Sequence, residues 1–313
     1  MEFKDFTKPF LKWVGGKSQI LENVLTLFPK TINNYHEPFL GGGSVLIGVL
    51  ELQRRGLIEI KGEVSASDLN LGLIELYKNI KDKPKELVEE AKKLIDEYTT
   101  AQENNPSVVN RNAQSLEEAL TSPESYYYYT RYRFNSLKDD EKNSVTASAM
   151  FLFLNKTCFR GVYREGPNGF NVPFGNYKAP SILNPEHIYK ISSLIQNVIF
   201  RQQDFTESLK LINRGDFVYL DPPYAPENSK SFVSYNRAGF SKENHEKLFS
   251  ECILFTDKDI KFVMSNSNVE LIHNYFKEPR YKIEKINCRR AINSKNPESK
   301  TDEVIITNRI NQL

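Results

Sequence analysis

The stretch DFVYLDPPY at residues 216–224 limits this chain more than any other. The apolar run FVYL has the length and composition of a buried strand, and two consecutive prolines forbid either a strand or a helix from continuing past it. Asp221 is therefore left at the carboxyl end of a strand, where open α/β sheets bind ligands. It supplies a hydrogen-bond acceptor there. Pro222 adds a backbone carbonyl without a ladder partner, and Tyr224 adds a flat face. That set suits gripping the exocyclic amino group of a planar base while stacking on its ring. The duller alternative is a strand followed by a proline-rich turn with a core tyrosine.

The rest of the chain repeats the pattern at both ends. Strand-like Tyr35–Phe39 runs into glycines, and Ser44–Arg54 then reads as a helix. Residues 63–68 form a second short strand, followed by helical periodicity at Leu71, Ile74, Tyr77 and Ile80. Further strands are expected near 197–202, 217–221, 261–265 and 303–307, with a helix carrying Leu248, Cys252 and Phe255 between the second and third of these. Alternation of this kind predicts βαβ units and a mostly parallel sheet. The middle differs. Pro84–Thr100 is an amphipathic helix, 104–114 a polar loop, and Ser122-Pro123 an N-cap followed by proline at the first helical position. Ser144–Lys156 is another helix, and FRGVYREGPNGFNVPFGNYK at 159–178 reads as strand, turn, strand. At 313 residues the chain is long enough for one large α/β domain carrying an insertion. Residues 81–180 are that insertion, and 1–80 with 181–313 the surrounding domain.

Charge contributes little. Lys+Arg number 42 against 40 Asp+Glu, a net charge of +2, so bulk electrostatics neither demand nor exclude a nucleic acid. Residues 277–300 hold eight Lys/Arg against three Glu, which leaves one face locally basic or simply solvated. Cys158, Cys252 and Cys288 form no CxxC pair, and the four histidines show no metal-ligand spacing. The opening MEFKDFTK lacks the apolar stretch of a signal peptide, and no apolar run is long enough to span a bilayer. A cytoplasmic protein that uses neither a metal nor a membrane is expected.

Three further clusters bear on chemistry. EPFLGGGS at 37–44 places glycines between strand and helix, where backbone can approach a ligand closely. Asp68 ends the next strand, 27 residues after Gly41, where nucleoside-binding sheets hold ribose hydroxyls on a carboxylate. FLKWVGGKS at 10–18 resembles a P-loop only in its last residues. The P-loop needs a glycine at position 11, which is Leu11, so an NTPase is rejected. Lys17 remains as a cation for a carboxylate and Trp13 as an indole for stacking.

The order FLKWVGGK, EPFLGGG, SDLN, an insertion holding FNVPFGNYK, DPPY and FVMSNS resembles the Dam-type (D12 class) DNA adenine-N6 methyltransferases. The match runs from about Phe10 to Thr307. It is loosest across 81–125, residues 101–121 match nothing in the family, and the stretch before Asp68 is longer than usual. The resemblance implies a Rossmann-like methyltransferase fold, S-adenosylmethionine as methyl donor with S-adenosylhomocysteine as product, and double-stranded DNA as substrate, commonly at GATC. It implies a monomer, and leaves open whether a cognate restriction endonuclease acts separately as a partner. By motif position it places Trp13, Gly16, Lys17, Phe39, Gly41, Asp68 and Asp221 at the cofactor. Asp221, Pro222, Pro223 and Tyr224 become catalytic, and Lys12, Arg160, Val162, Arg164 and Pro173 face DNA, with Arg164 on a guanine. Arg160 and Arg164 could instead contact phosphate, which positions without specifying. Tyr126 to Tyr129 divide at helical spacing into two core rings and two outer ones, leaving Arg131 and Arg133 for phosphates. Lys156, Arg289 and Arg290 are either backbone contacts or plain surface charges. A cytosine-N4 or RNA base methyltransferase, and a DNA-binding regulator on a dead methyltransferase fold, are the competing readings.

Overall fold

A computed structural model describes residues 5–104, 108–226, 240–289 and 300–308. Its longer elements run, in chain order, β1 (Tyr35–Glu37), α1 (Ser44–Arg54), β2 (Val64–Asp68), α2 (Leu71–Asp82), α3 (Pro84–Glu103), α4 (Pro123–Ser136), α5 (Val145–Thr157), β3 (Glu165–Gly166), β4 (Gly169–Phe170), α6 (Pro185–Leu194), β5 (Val198–Gln202), β6 (Phe217–Leu220), α7 (Lys242–Asp257), β7 (Lys261–Ser267), β8 (Tyr281–Arg289) and β9 (Lys300–Asn308). Seven of the strands form one sheet in the order β8-β9-β7-β6-β1-β2-β5. Five of them, β7-β6-β1-β2-β5, are parallel, and β9 and β8 join antiparallel at one edge. The α/β class and the mostly parallel sheet expected from sequence are thus present. Strand β8, unremarked in the sequence reading, lies in the segment noted only for its basic charge. Its Tyr-Lys-Ile-Glu alternation was the available signal.

From β1 the chain moves outward in both directions, to β2 and β5 on one side and to β6 and β7 on the other. The carboxyl ends of β1 and β6 therefore diverge, which opens a crevice at the switch point of the sheet. At the opposite ends of these strands His36 bridges Ser65 (2.8 Å) and Asp216 (3.1 Å), an arrangement resembling a nucleophilic triad. All three are buried, and the adjoining cavity is only about 10 Å³, so these groups join strands and have no room for a substrate.

Local capping explains where the middle helices begin. Ser122 accepts from the Ser125 amide at 3.2 Å ahead of Pro123, and Ser144 accepts from the Ala147 amide at 3.1 Å. Helices α3, α4 and α5 share one apolar core with α2 and α6, through residues such as Tyr77, Tyr98, Tyr126, Tyr127 and Phe153. The tyrosine run divides as expected: Tyr126 and Tyr127 are fully buried while Tyr128 and Tyr129 are half-buried. Among the described residues no helix is long and apolar enough to cross a membrane.

Candidate active site

A cavity of about 1120 Å³ opens at the carboxyl ends of β1, β2 and β6. Its wall contains every residue expected at the cofactor, Trp13, Gly16, Lys17, Phe39, Gly41, Asp68 and Asp221, together with Pro222, Pro223 and Tyr224. Glu37, Phe205, Phe240 and Asn244 line it too, and sequence reasoning assigned none of these four. Phe39 stacks on Phe205 at 5.5 Å and meets Phe240 edge-on at 5.7 Å, giving one side of the cavity an aromatic wall.

Lys17 is 4% exposed and its ammonium lies 2.7 Å from the Asp221 carboxylate. The cation expected to meet a carboxylate meets the one on DPPY itself. Burial pushes the Asp221 carboxyl up from its ordinary range, and Lys17 opposes that shift. The same ammonium lies 5.0 Å from the centroid of the Tyr224 ring, whose hydroxyl donates to Glu303 at 2.8 Å. The loop beyond is tied down by its neighbours. His245 Nε2 lies 3.0 Å from the Pro223 carbonyl, the Ala225 amide donates to Asn266 at 3.0 Å, and Ser267 donates to the Ala225 carbonyl. Asn266 and Ser267, at the end of β7, thus brace the loop after DPPY. His245 was not foreseen, because 22 residues separate it from Pro223.

Glu37 ends β1 directly below the cavity. It is 2% exposed and accepts from the Tyr35 hydroxyl at 2.7 Å. Burial raises its carboxyl from 4.5 to about 8, helped by the neighbouring Asp221 charge and opposed by Lys17.

The glycine turn has a different cause from the one expected. A Cβ on Gly41 would lie 2.9 Å from Trp13 Nε1, and one on Gly42 only 2.8 Å from the Trp13 Cβ. One on Gly43 would strike the Tyr77 hydroxyl. The chain's own rings, more than a ligand, exclude side chains there. Asp68 also has internal work: its two oxygens accept from the amides of Gly41 at 3.0 Å and Asn70 at 2.9 Å. Trp13 stacks on Tyr163 at 5.8 Å and on Phe151 at 6.5 Å.

The residues expected to face DNA gather around the β3–β4 hairpin. Lys12, Arg160, Arg164 and Pro173 are exposed, whereas Val162 is half-buried against the core. Asn155 brackets the Lys12 backbone with bonds of 3.0 and 2.7 Å, and the Lys12 ammonium lies 4.2 Å from the centre of the Tyr177 ring. Arg160 adopts φ +58° and donates its amide to the Tyr177 hydroxyl at 2.8 Å. Arg164 donates from Nε to Asn171 at 2.7 Å across the hairpin.

Two expectations are corrected in this region. Arg131, assigned to phosphates, donates to the Val172 carbonyl at 3.1 Å beside the Tyr127 hydroxyl at 2.7 Å, and so holds the hairpin. Lys156 is no plain surface charge: burial, reinforced by Lys12, lowers its ammonium to about 8. Asn135, exchanging bonds of 2.9 Å with both the amide and the carbonyl of Phe170, is a clamp that sequence did not reveal. Arg133 lies over Tyr129 at 5.5 Å. Arg289 belongs to β8, and Arg290 lies outside the described residues.

Residues 13–292 match the model of the D12 class N6 adenine-specific DNA methyltransferases. The chain is 35% identical over 311 residues to the Type II methyltransferase M.MjaIII of Methanocaldococcus jannaschii, covering 96% of this chain and 99% of that protein. It is 32% identical over 307 residues to the Type II methyltransferase M1.LlaDCHI of Lactococcus lactis subsp. cremoris, covering 96% and 95%. With the DNA adenine methylase of Escherichia coli K12 it shares 29% identity over 301 residues, covering 95% and 94%. A parallel sheet with DPPY at its switch point, matched along nearly its whole length by these proteins, belongs to the D12 class of N6 adenine-specific DNA methyltransferases.

Proposed function

We propose that this enzyme methylates N6 of an adenine flipped out of duplex DNA, within GATC, and that residues 81–180 read the site while the surrounding domain holds cofactor and target base. The observation that carries this reading is the Lys17–Asp221 pair at the mouth of DPPY, inside a cavity of about 1120 Å³. Sites for one small ligand are mostly about 300–1,000 Å³, so the cavity has room for a cofactor and a base together.

The donor set fits S-adenosylmethionine. Lys17 offers a buried cation to its carboxylate, Asp68 an acceptor to its ribose, and the Phe39–Phe205 pair an apolar face. Bound there, the cofactor supplies an electrophilic methyl group. The protein's own task is to make N6 a better nucleophile, since its lone pair is delocalised into the ring. Asp221 and the Pro222 carbonyl accept the two N6 hydrogens and favour the pyramidal nitrogen on which positive charge develops. Holding both reactants in one cavity supplies much of the remaining acceleration. Extrusion of the base costs a few kcal/mol, and stacking on Tyr224 offsets part of that. Arg164 reads a guanine and Lys12 stands near the first base pair. Arg160, Val162 and Pro173 complete the surface, and the enzyme acts as a monomer.

Incubating unmethylated plasmid with the protein and S-adenosylmethionine, then mapping modified bases by single-molecule sequencing, tests this directly. N6-methyladenine confined to GATC is the expected result. The same base at another motif would refute the assigned specificity, and N4-methylcytosine would refute the assigned target.

A further inference from the structure

Tyr163 stands between Val162 and Arg164 beside the hairpin, yet its ring does not face outward as Arg164 does. It stacks on Trp13 at 5.8 Å with 19° between planes, and on Phe151 at 5.3 Å and 27°. Trp13 is part of the cavity wall. Three rings therefore run without interruption from the cofactor cavity to the residue beside the proposed guanine reader.

The contacts of Trp13 are unequal. Gly41 and Gly42 touch it so closely that neither could carry a Cβ. That turn is fixed by Asp68 on the Gly41 amide and by the Gly43 amide on the Leu40 carbonyl at 2.9 Å. The ring neighbours of Trp13 are Phe151, buried in α5, and Tyr163, half-buried just ahead of a hairpin whose ladder is two residue pairs long. A ligand that presses on the indole from the cavity meets a fixed turn and the buried Phe151, and beside them the half-buried Tyr163. Displacement then goes to Tyr163, and with it to Arg164, which is linked across the ribbon through Asn171.

We infer that Tyr163 is a positioning residue that couples occupancy of the cofactor cavity to DNA reading by the hairpin. The inference rests on the proposed assignment of cavity and hairpin. Coupling of this kind is reciprocal: each ligand tightens the other by the same factor.

Trp13 is the chain's only tryptophan, so emission excited selectively at the tryptophan absorption edge reports on Trp13. The test measures the Kd of a GATC duplex oligonucleotide with and without saturating S-adenosylhomocysteine, for the full-length wild type, Tyr163→Phe and Tyr163→Ala. Wild type and Tyr163→Phe should bind the duplex about fivefold more tightly with the cofactor product present. For Tyr163→Ala the ratio should fall to about one, while each ligand alone still binds. A wild-type ratio retained in Tyr163→Ala overturns the inference, and so does a wild-type ratio of one. If Tyr163→Ala fails to fold, the wild-type emission decides: DNA alone must shift Trp13 fluorescence, and an unchanged spectrum with duplex bound refutes the coupling. Failure of wild type to bind either ligand would instead sink the assignment of the two surfaces, and the inference with it.

Discussion

Glu37→Gln isolates one buried proton. In the folded protein the Glu37 carboxyl holds its proton to about pH 8, against an ordinary 4.5. A folded-state value raised above the unfolded one means that stability is fully present below pH 4.5 and declines as pH rises toward 8, because the unfolded chain gives up the proton first. Each unit of difference corresponds to about 1.4 kcal/mol, so this group removes up to about 5 kcal/mol across that window. Glutamine has no proton to lose. The variant carries a constant offset from its altered bond to the Tyr35 hydroxyl, and its stability relative to wild type climbs with pH. Asp68 and Asp221, also raised by burial, are common to both proteins and cancel in the difference. For a chain of this length about 5 kcal/mol corresponds to roughly 7 °C in Tm. Thermal unfolding of both proteins at several pH values between 4.5 and 8 gives the difference curve. Parallel profiles would show that Glu37 is ionised in the folded state, and the reasoning would fail.

Asp221→Ala should abolish methyl transfer and leave duplex binding within a few-fold, checked by a tritiated-methyl assay beside a gel shift; near-normal turnover would remove Asp221 from catalysis. Arg164→Ala should relax preference at one base pair by ~1–3 kcal/mol, seen in competition between GATC and singly substituted duplexes, whereas equal weakening for all sequences would mark a phosphate contact. Asn135→Ala removes two hydrogen bonds from the hairpin, at about 1 kcal/mol each. It should lower specific DNA affinity with cofactor affinity unchanged, as titration calorimetry would show; equal loss of both would mean that the fold as a whole had suffered. Gly42→Ala would drive a Cβ to 2.8 Å from that of Trp13. It should shift the tryptophan emission and weaken cofactor binding, and an unaltered spectrum would contradict the packing.

The sheet was legible because its cues are local. FVYL before two prolines, glycines before Ser44, and Asp68 before Asn70 each mark a strand's end within a few residues, and caps such as Ser122-Pro123 start helices by the same short-range chemistry. The residues proposed for the cofactor could be named from such cues and the motif order, and all of them line one cavity. What stayed hidden depends on distance along the chain. Nothing near Glu37 says that its charge will be withdrawn from water, since burial is set by how the sheet and helices close over it. Nothing near His245 indicates Pro223, and nothing near Arg131 distinguishes a phosphate ligand from a clamp on Val172. The glycines at 41–43 were read as room for a ligand, whereas the bodies that exclude side chains there, Trp13 and Tyr77, arrive from segments about thirty residues away on either side. Short-range sterics and hydrogen bonding are written in neighbouring residues. Desolvation, ring packing and the pairing of buried charges exist only once remote segments share one volume, and those were decided by the tertiary structure.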